Sequence, residues 1–490
     1  MLSKQRFPRL AFGLKNMPSE IAKPAFLHNV PSVQGQDKPT RIAETVLYLA
    51  LASLALSWVA LFNRAPLVFA DTVGYATAAL GGWLPGFFSV FYSVFILPLH
   101  WGSSLWPVVF VQGAIIAHLL YLTARTVSRA STGKGSILVV VIALAVFSSL
   151  PWLTGEIMPD IFTPVVAIGL YLIAFQGRGL GRGEIVYVSA LTAFAISTHL
   201  SHVPIAAGLI LLLLVLRFAF ETREKPTLGR VAGRLAIPFL VAIAAMFAVN
   251  WFATHGVTLA RNSNAFLLAK WIDEGPALAY LKESCPSKGY TLCAHLDELE
   301  GKTHAYLKWS ADSPLRKLGF DALEPEARDI VRGTLFSRPF QIVHRGLIDF
   351  AIQLSRFQTG DGLSREFAKL VSHHLTPHYG AEVAQSILAS RQGRGQLPLT
   401  EIRIVHSLAL AVAAGFLLYI LLLRRNAVTP DLLVFSVFVF GAVVWNAAAT
   451  GALSGPYDRY LARVVWLIDF AAILGLLQLT RPKRVPLDEV

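Results

Sequence analysis

At 490 residues the chain is long enough for three or four soluble domains, but 54% of it is hydrophobic and only 15% charged, against about 25% charged in ordinary globular proteins. Its 31 Phe and 10 Trp exclude a disordered chain. The net charge of +13 is read as membrane topology before nucleic-acid binding, because Lys and Arg gather at the cytoplasmic ends of spans; no nucleic-acid partner is expected.

Residues 1–41 are polar and basic, lack a short apolar core with a small-residue cleavage site, and read as a retained cytoplasmic tail. A bilayer core of about 30 Å takes roughly 20 apolar residues to cross. Ten segments are candidates, several of them shorter than that: Glu44–Asn63, Leu105–Ala124, Ile137–Trp152, Ile161–Gln176, Ile185–Ser197, Val203–Leu216, Leu235–Trp251, Ile404–Leu423, Leu432–Ala449 and Val464–Leu479.

Basic residues orient them. Arg125, Arg129 and Lys134 follow the second span, and Arg178 and Arg182 the fourth. Arg217, Arg223, Lys225, Arg230 and Arg234 follow the sixth, Arg424 and Arg425 the eighth, and Arg481, Lys483 and Arg484 the tenth. With all of these inside, the span count is even and both termini are cytoplasmic. Gly86–His100 then does not cross; its short Phe-rich run with Pro98 lies at the outer interface or dips in and returns. The compact tails suit a bacterial inner membrane.

The expected organisation is a tail (1–41), a membrane module (42–251) whose first outer loop is 64–104, an extracytoplasmic domain (252–403), further membrane helices (404–480) and a second tail (481–490). Segment 252–403 is the most polar and reads as mainly helical. In Pro339–Phe357, for example, Phe340, Val343, Leu347, Phe350, Ala351 and Leu354 fall at helical spacing. Cys285 and Cys293, the only cysteines, both lie in this segment. A disulfide closing that short loop suits an oxidising compartment; two buried thiols are the other reading. Two thiols are too few for a structural zinc site.

Outside that segment the outer face has only four acidic residues, Asp71, Glu156, Asp160 and Asp458. Ionisable groups near membrane depth are costly and mark functional candidates. Asp71 and Asp160 each precede a helical stretch, so each is either an N-cap or a group that takes or orients a proton. His199 and His202, three apart, are a weak metal pair or solvated interface residues. The last outer loop, SGPYDRYLARVV, concentrates Tyr457, Asp458, Arg459, Tyr460 and Arg463. Its arginines are forks for phosphate oxygens or interfacial anchors. Lys270, Arg261 and His255 are further phosphate candidates, and His373, His374 and His378 suit a solvated turn better than a metal site.

The Asp soon after the first span, in DTVGY with Asp71 and Tyr75, the short apolar run GFFSVFYSVFILPLH, the second acidic loop and the terminal RY loop together resemble the GT-C superfamily of multispanning glycosyltransferases. The resemblance covers roughly residues 40–250 and 430–480. It implies an all-α integral membrane protein, a bundle of about ten transmembrane helices with juxtamembrane helices in the first outer loop and a mainly helical extracytoplasmic domain. The implied reaction is inverting transfer of a sugar from a polyprenyl-phosphate donor to a lipid or cell-envelope glycan acceptor. Asp71 would be the general base, with Glu156 or Asp160 positioning the acceptor or binding a divalent cation such as Mg or Mn. Arg459, Arg463 and Lys270 would hold the donor phosphate, and Tyr75, Tyr457, Tyr460, His199 and His202 would line the site. The chain departs from the pattern in carrying its insertion between the seventh and eighth spans, and in lacking an adjacent carboxylate pair in the second acidic loop. The alternatives are an O-antigen ligase or polymerase type of enzyme relying on His344 and Arg345, a lipid or sugar transporter, and an assembly scaffold.

Overall fold

A computed structural model of the chain describes residues 38–83, 86–128, 133–175, 179–220, 227–254, 256 and 258–480, without the side chains of 38–41, 253 and 254. His255, the tail residues before Lys38 and after Thr480, and Arg129, Arg178, Arg223 and Lys225 lie outside the described residues. The chain divides into two units, Met1–Glu44 and Thr45–Val490. The described part of the first is the opening of one helix, and the bundle and candidate site belong to the second.

The described residues are about 80% helical, with no strands. The first stretch contains α1 (Lys38–Leu56), α2 (Trp58–Asn63), α3 (Thr72–Gly81), α4 (Phe91–His100), α5 (Trp106–Ser128), α6 (Lys134–Phe147), α7 (Leu150–Gly155), α8 (Phe162–Ala174), α9 (Arg182–Ser197), α10 (His202–Ala219) and α11 (Leu228–Thr254). The polar segment holds α12 (Ser263–Asp273), α13 (Pro276–Lys288), α14 (Leu296–Leu299), α15 (His304–Trp309), α16 (Pro314–Leu318), α17 (Phe320–Ser337), α18 (Pro339–Ser355) and α19 (Arg365–Ala389). Last come α20 (Leu399–Leu423), α21 (Pro430–Leu453) and α22 (Asp458–Thr480).

Six of these helices, α5, α10, α11, α20, α21 and α22, are long and apolar enough to cross a bilayer. Ile42–Leu56, Lys134–Phe147 and Pro159–Ala174 are apolar but shorter. The chain is therefore a helical, multi-pass membrane protein in its architecture. Gly86–His100 supplies only the ten-residue α4, about 15 Å at 1.5 Å per residue, half of what a crossing needs. Local chemistry sets the ends. Thr429 caps α21 by accepting from Leu432 N at 3.2 Å, with Pro430 in the first turn, and Ser364 caps α19 through Phe367 N.

α22 is the axis. Its most apolar window is 83% buried, against 22% for α11 and α20, and it packs on α6, α8, α20 and α21. A helix apolar on every side must be enclosed, so the polar groups in its first turns are held inside protein. Within 252–403 the hydrophobic packing divides. α12–α17 have their own core, with Leu268, Trp271, Leu281, Leu307, Leu323 and Ile330, whereas Val371, Leu375 and Tyr379 of α19 join the core of the helix bundle. Cys285 and Cys293 form a disulfide within the first of these, their Cα atoms 5.5 Å apart.

Candidate active site

The site is assembled by three loops around the start of α22. Arg463, in its second turn and fully buried, donates from Nη1 to Asp160 Oδ1 at 3.1 Å. Its Nη2 donates to Ser201 Oγ at 3.2 Å and to Asn446 Oδ1 at 3.3 Å. An enclosed guanidinium must be paired, and this one draws together the loop before α8, the loop before α10 and the face of α21.

Two backbone hydrogen bonds then fix Asp71. Leu67 N donates to Gly155 O (2.8 Å) and Ile157 N to Leu67 O (3.0 Å), pairing the segment before Asp71 with the segment that carries Glu156. Thr72 Oγ1 donates to Ile157 O (3.0 Å). From the other side, Gln392 Nε2 donates to Val68 O (2.6 Å) and Gln392 Oε1 accepts from Val68 N (3.1 Å). Asp71 stands at the N-cap position of α3, yet its side chain makes no cap hydrogen bond. Thr72 Oγ1 also accepts from Phe69 N (2.9 Å), closing the turn before the helix. The Asp71 carboxylate is left facing Arg459, with Oδ2 3.8 Å from Nη1.

Arg459 lies one turn before Arg463, and the Tyr460 ring sits between the two guanidinium groups at 4.9 and 5.1 Å. Arg459 also covers Phe69 at 4.4 Å, and its Nη2 donates to Tyr460 OH at 3.3 Å. Its buried Nη1 has no hydrogen-bond acceptor among the described residues. Asp71 stands at ion-pair distance from this nitrogen without accepting its hydrogen bond, so a buried charged donor remains for a further acceptor.

The polar segment closes the site with α15. Lys308 lies within electrostatic reach of Asp71, Arg459 and Lys270, and among the described residues it makes no hydrogen bond or ion pair; its ammonium sits 5.6 Å from the Phe266 ring. Burial, reinforced by Lys270 and Arg459, lowers it to about 8. Lys270 is differently placed, since Glu274 and Asp349 both hold its ammonium. Tyr457 OH donates to His304 Nε2 at 2.6 Å, while His304 Nδ1 donates to Asp273 Oδ2 at 2.8 Å. The carboxylate can only accept, which sets the imidazole tautomer. Burial, then Lys308, keeps His304 below its ordinary pKa, so the ring is neutral at pH 7.

Burial, then the neighbouring Asp160, pushes Glu156 up to about 8, so it is a neutral hydrogen-bond donor at pH 7. Burial also raises Asp71, against the opposing pull of Arg459. His202 Nδ1 donates to Ala195 O (2.7 Å) and Nε2 accepts from Thr163 Oγ1 (2.8 Å), so both ring nitrogens are engaged within the fold. His199 Nδ1 meets Ser201 Oγ at 2.8 Å, and burial lowers this ring to about 4. Tyr75 is buried between Phe88 and Tyr92, with ring centroids at 4.6 and 5.3 Å.

Asp71, Glu156, Asp160, Arg459, Arg463, Tyr457 and Tyr460 are thus brought together across nearly 400 residues of sequence. Lys308, His304 and Asp273 join them without having been singled out in the sequence, where nothing distinguishes them from other polar residues of their segment. Among the described residues no group of three or more His, Cys, Asp or Glu is arranged to hold a metal ion, and Asp71 and Asp160 each face an arginine. The described residues therefore do not form a ready cation site.

The buried pair yields a stability prediction. Asp160→Ala leaves Arg463 enclosed and unpaired, a loss of about 3–5 kcal/mol, whereas Asp160→Leu with Arg463→Met recovers most of it. Thermal melting of the detergent-purified proteins measures this; an unchanged melting temperature in Asp160→Ala would contradict the pairing. Comparison of the chain with protein-family models, with curated proteins and with solved structures returned no match.

Proposed function

We propose that the chain is a membrane glycosyltransferase that moves a sugar from a polyprenyl-phosphate donor to a lipid or envelope-glycan acceptor on the extracytoplasmic face of a bacterial inner membrane. In this reading about ten helices cross, including the shorter apolar ones, and both termini are cytoplasmic. The observation that carries the proposal is the opposition of the uncapped Asp71 carboxylate to Arg459, whose Nη1 has no acceptor among the described residues, beside the unpaired ammonium of Lys308.

The chemistry is a single displacement. The acceptor oxygen attacks the anomeric carbon, the carbon–oxygen bond to the phosphate breaks, and the configuration inverts. The acceptor proton passes to Asp71, whose burial makes it a better base than an exposed aspartate. The electron pair of the broken bond stays on the departing polyprenyl phosphate, which Arg459 and Lys308 stabilise. Neutral Glu156 donates a hydrogen bond to acceptor or donor oxygens. Arg463 acts through position, holding the loops together, and Lys270 serves the site through its carboxylates and its field on Lys308. The ligase reading centred on His344 and Arg345 has less support, because both are exposed on α18.

Two outcomes follow. In cells lacking the protein, mass spectrometry of extracted lipids and envelope glycans shows a product one sugar lighter. The wild-type chain restores the mass; Asp71→Asn, which reaches the membrane in normal amount, is at least about 10²-fold slower and does not. Restoration by Asp71→Asn would remove Asp71 as the base. The second concerns pH. Raising pH through 8 deprotonates Lys308 and ionises Glu156, and both changes weaken the hold on an anionic donor. The donor KM therefore rises between pH 7 and 9 with an apparent midpoint near 8 that belongs to the coupled pair, and it rises less in Lys308→Arg. A donor KM that stays flat over this range would contradict the assigned electrostatics.

A further inference from the structure

The apolar face of α18 has no partner among the described residues. At 3.6 residues per turn, Phe340, Val343, Leu347, Ala351 and Leu354 fall on one stripe, extended by Phe336 at the end of α17. Phe340 is 87% exposed, and Val343 and Leu347 are 60% exposed. Ordinary soluble surfaces scatter such residues singly; here they are contiguous along a helix of about 25 Å. The opposite side is fully used. Asp349 holds Lys270, Ile342 packs on the core of α12–α17, and Gln353 clamps Tyr457 through its backbone N (3.0 Å) and O (2.9 Å).

We infer that α18 lies in the membrane interface, its exposed stripe immersed in the acyl chains of the leaflet on the side of the candidate site. Continuity with a membrane-crossing helix identifies the occupant. α18 packs closely along α21, itself long and apolar enough to span, and the two meet at its last turns. There a Cβ added to Gly451 would come within 2.8 Å of Asp349 O, and one added to Gly346 within 3.4 Å of Ala452. The stripe is therefore held where α21 leaves the hydrocarbon, and Leu453 at the end of α21 is exposed as well. Charge agrees with this position. His344 and Arg345 lie on the exposed flank, beside the apolar stripe, as on an amphipathic helix seated among lipid headgroups, whereas Arg338 and Arg356 at the helix ends are held by Glu283 and Asp458. A segment that reads as the soluble part of the chain then contains a lipid-seated wall of the candidate site. The inference stands on packing and exposure and holds whether or not the transfer reading does.

The test is site-directed spin labelling of the full chain in phosphatidylcholine–phosphatidylglycerol vesicles, with single cysteines replacing Phe340, Val343, Leu347, Gln341 and Arg345. The native cysteines are joined in a disulfide, so the introduced thiol takes the label. All five positions are surface residues, and unchanged detergent elution profiles verify that the variants fold. Labels at 340, 343 and 347 are expected to lose collisions with a water-soluble nickel chelate while keeping those with oxygen, and labels at 341 and 345 to show the reverse. Free access of the chelate to 340, 343 and 347 would overturn the inference, leaving the stripe in water. Loss of both collision partners at those positions would overturn it as well, because a second copy or another protein segment, rather than lipid, would then cover the stripe.

Discussion

The arrangement depends on one enclosed ion pair. Arg463 projects from the most enclosed of the six candidate spans and is itself fully buried, so its charge must be met by groups of the protein. Asp160, Ser201 and Asn446 meet it from three separate stretches of sequence. Such a pair is a poor source of net stability compared with apolar packing but a strong constraint on which loops meet. Once the Asp160 loop is seated, the short backbone pairing of Leu67 with Gly155 and Ile157 brings the Asp71 loop beside it. Arg459, one helical turn earlier on α22, then faces Asp71.

The polar segment completes this scaffold from the other side. Gln392 ties down Val68, Gln353 ties down Tyr457, and α15 delivers Lys308 and His304 next to Arg459. The positive groups fall into two kinds. Arg463 and Lys270 are hydrogen-bonded to carboxylates within the fold. Among the described residues, Arg459 meets Asp71 only at ion-pair distance, with a free donor at Nη1, and Lys308 has no carboxylate partner, the condition expected of groups that can receive an anion from outside. Burial lowers Lys308 and raises Glu156 toward the same pH, so the field at the site changes most steeply near pH 8.

Much of this was legible in the sequence. Hydropathy located the apolar helices, because burial or lipid exposure of a whole helix leaves a run of apolar residues. It did not establish how many cross: α6, α8 and the first helix beyond Ile42 are too short to be told from buried helices by length and composition. The scarcity of acidic residues on one side singled out Asp71, Glu156 and Asp160, and the RY loop singled out Arg459 and Arg463. The pairing of Cys285 with Cys293 was the favoured of two readings and is formed. Three things were not legible. An N-cap and a free carboxylate look alike in sequence, and only the folded position of Asp71, whose side chain makes no cap hydrogen bond and faces Arg459, separates them. Lys270 and Lys308 are indistinguishable by type, and only folding assigns the two carboxylates to one and none to the other. The spacing of His199 and His202 carries no information on the carbonyl and hydroxyl that occupy the His202 ring.

The central claim is that Arg459 and Lys308 form an anion seat for a lipid-linked phosphate. Its most direct measurement is the affinity of purified protein for farnesyl phosphate, with farnesol as the control lacking the phosphate. The account predicts binding of farnesyl phosphate but not farnesol to the wild-type chain and to Asp71→Asn. Arg459→Ala is expected to bind about tenfold more weakly or worse, since a hydrogen bond to a charged group contributes about 1.5–3 kcal/mol. Equal affinity of wild type and Arg459→Ala, or equal binding of farnesol and farnesyl phosphate, would contradict it.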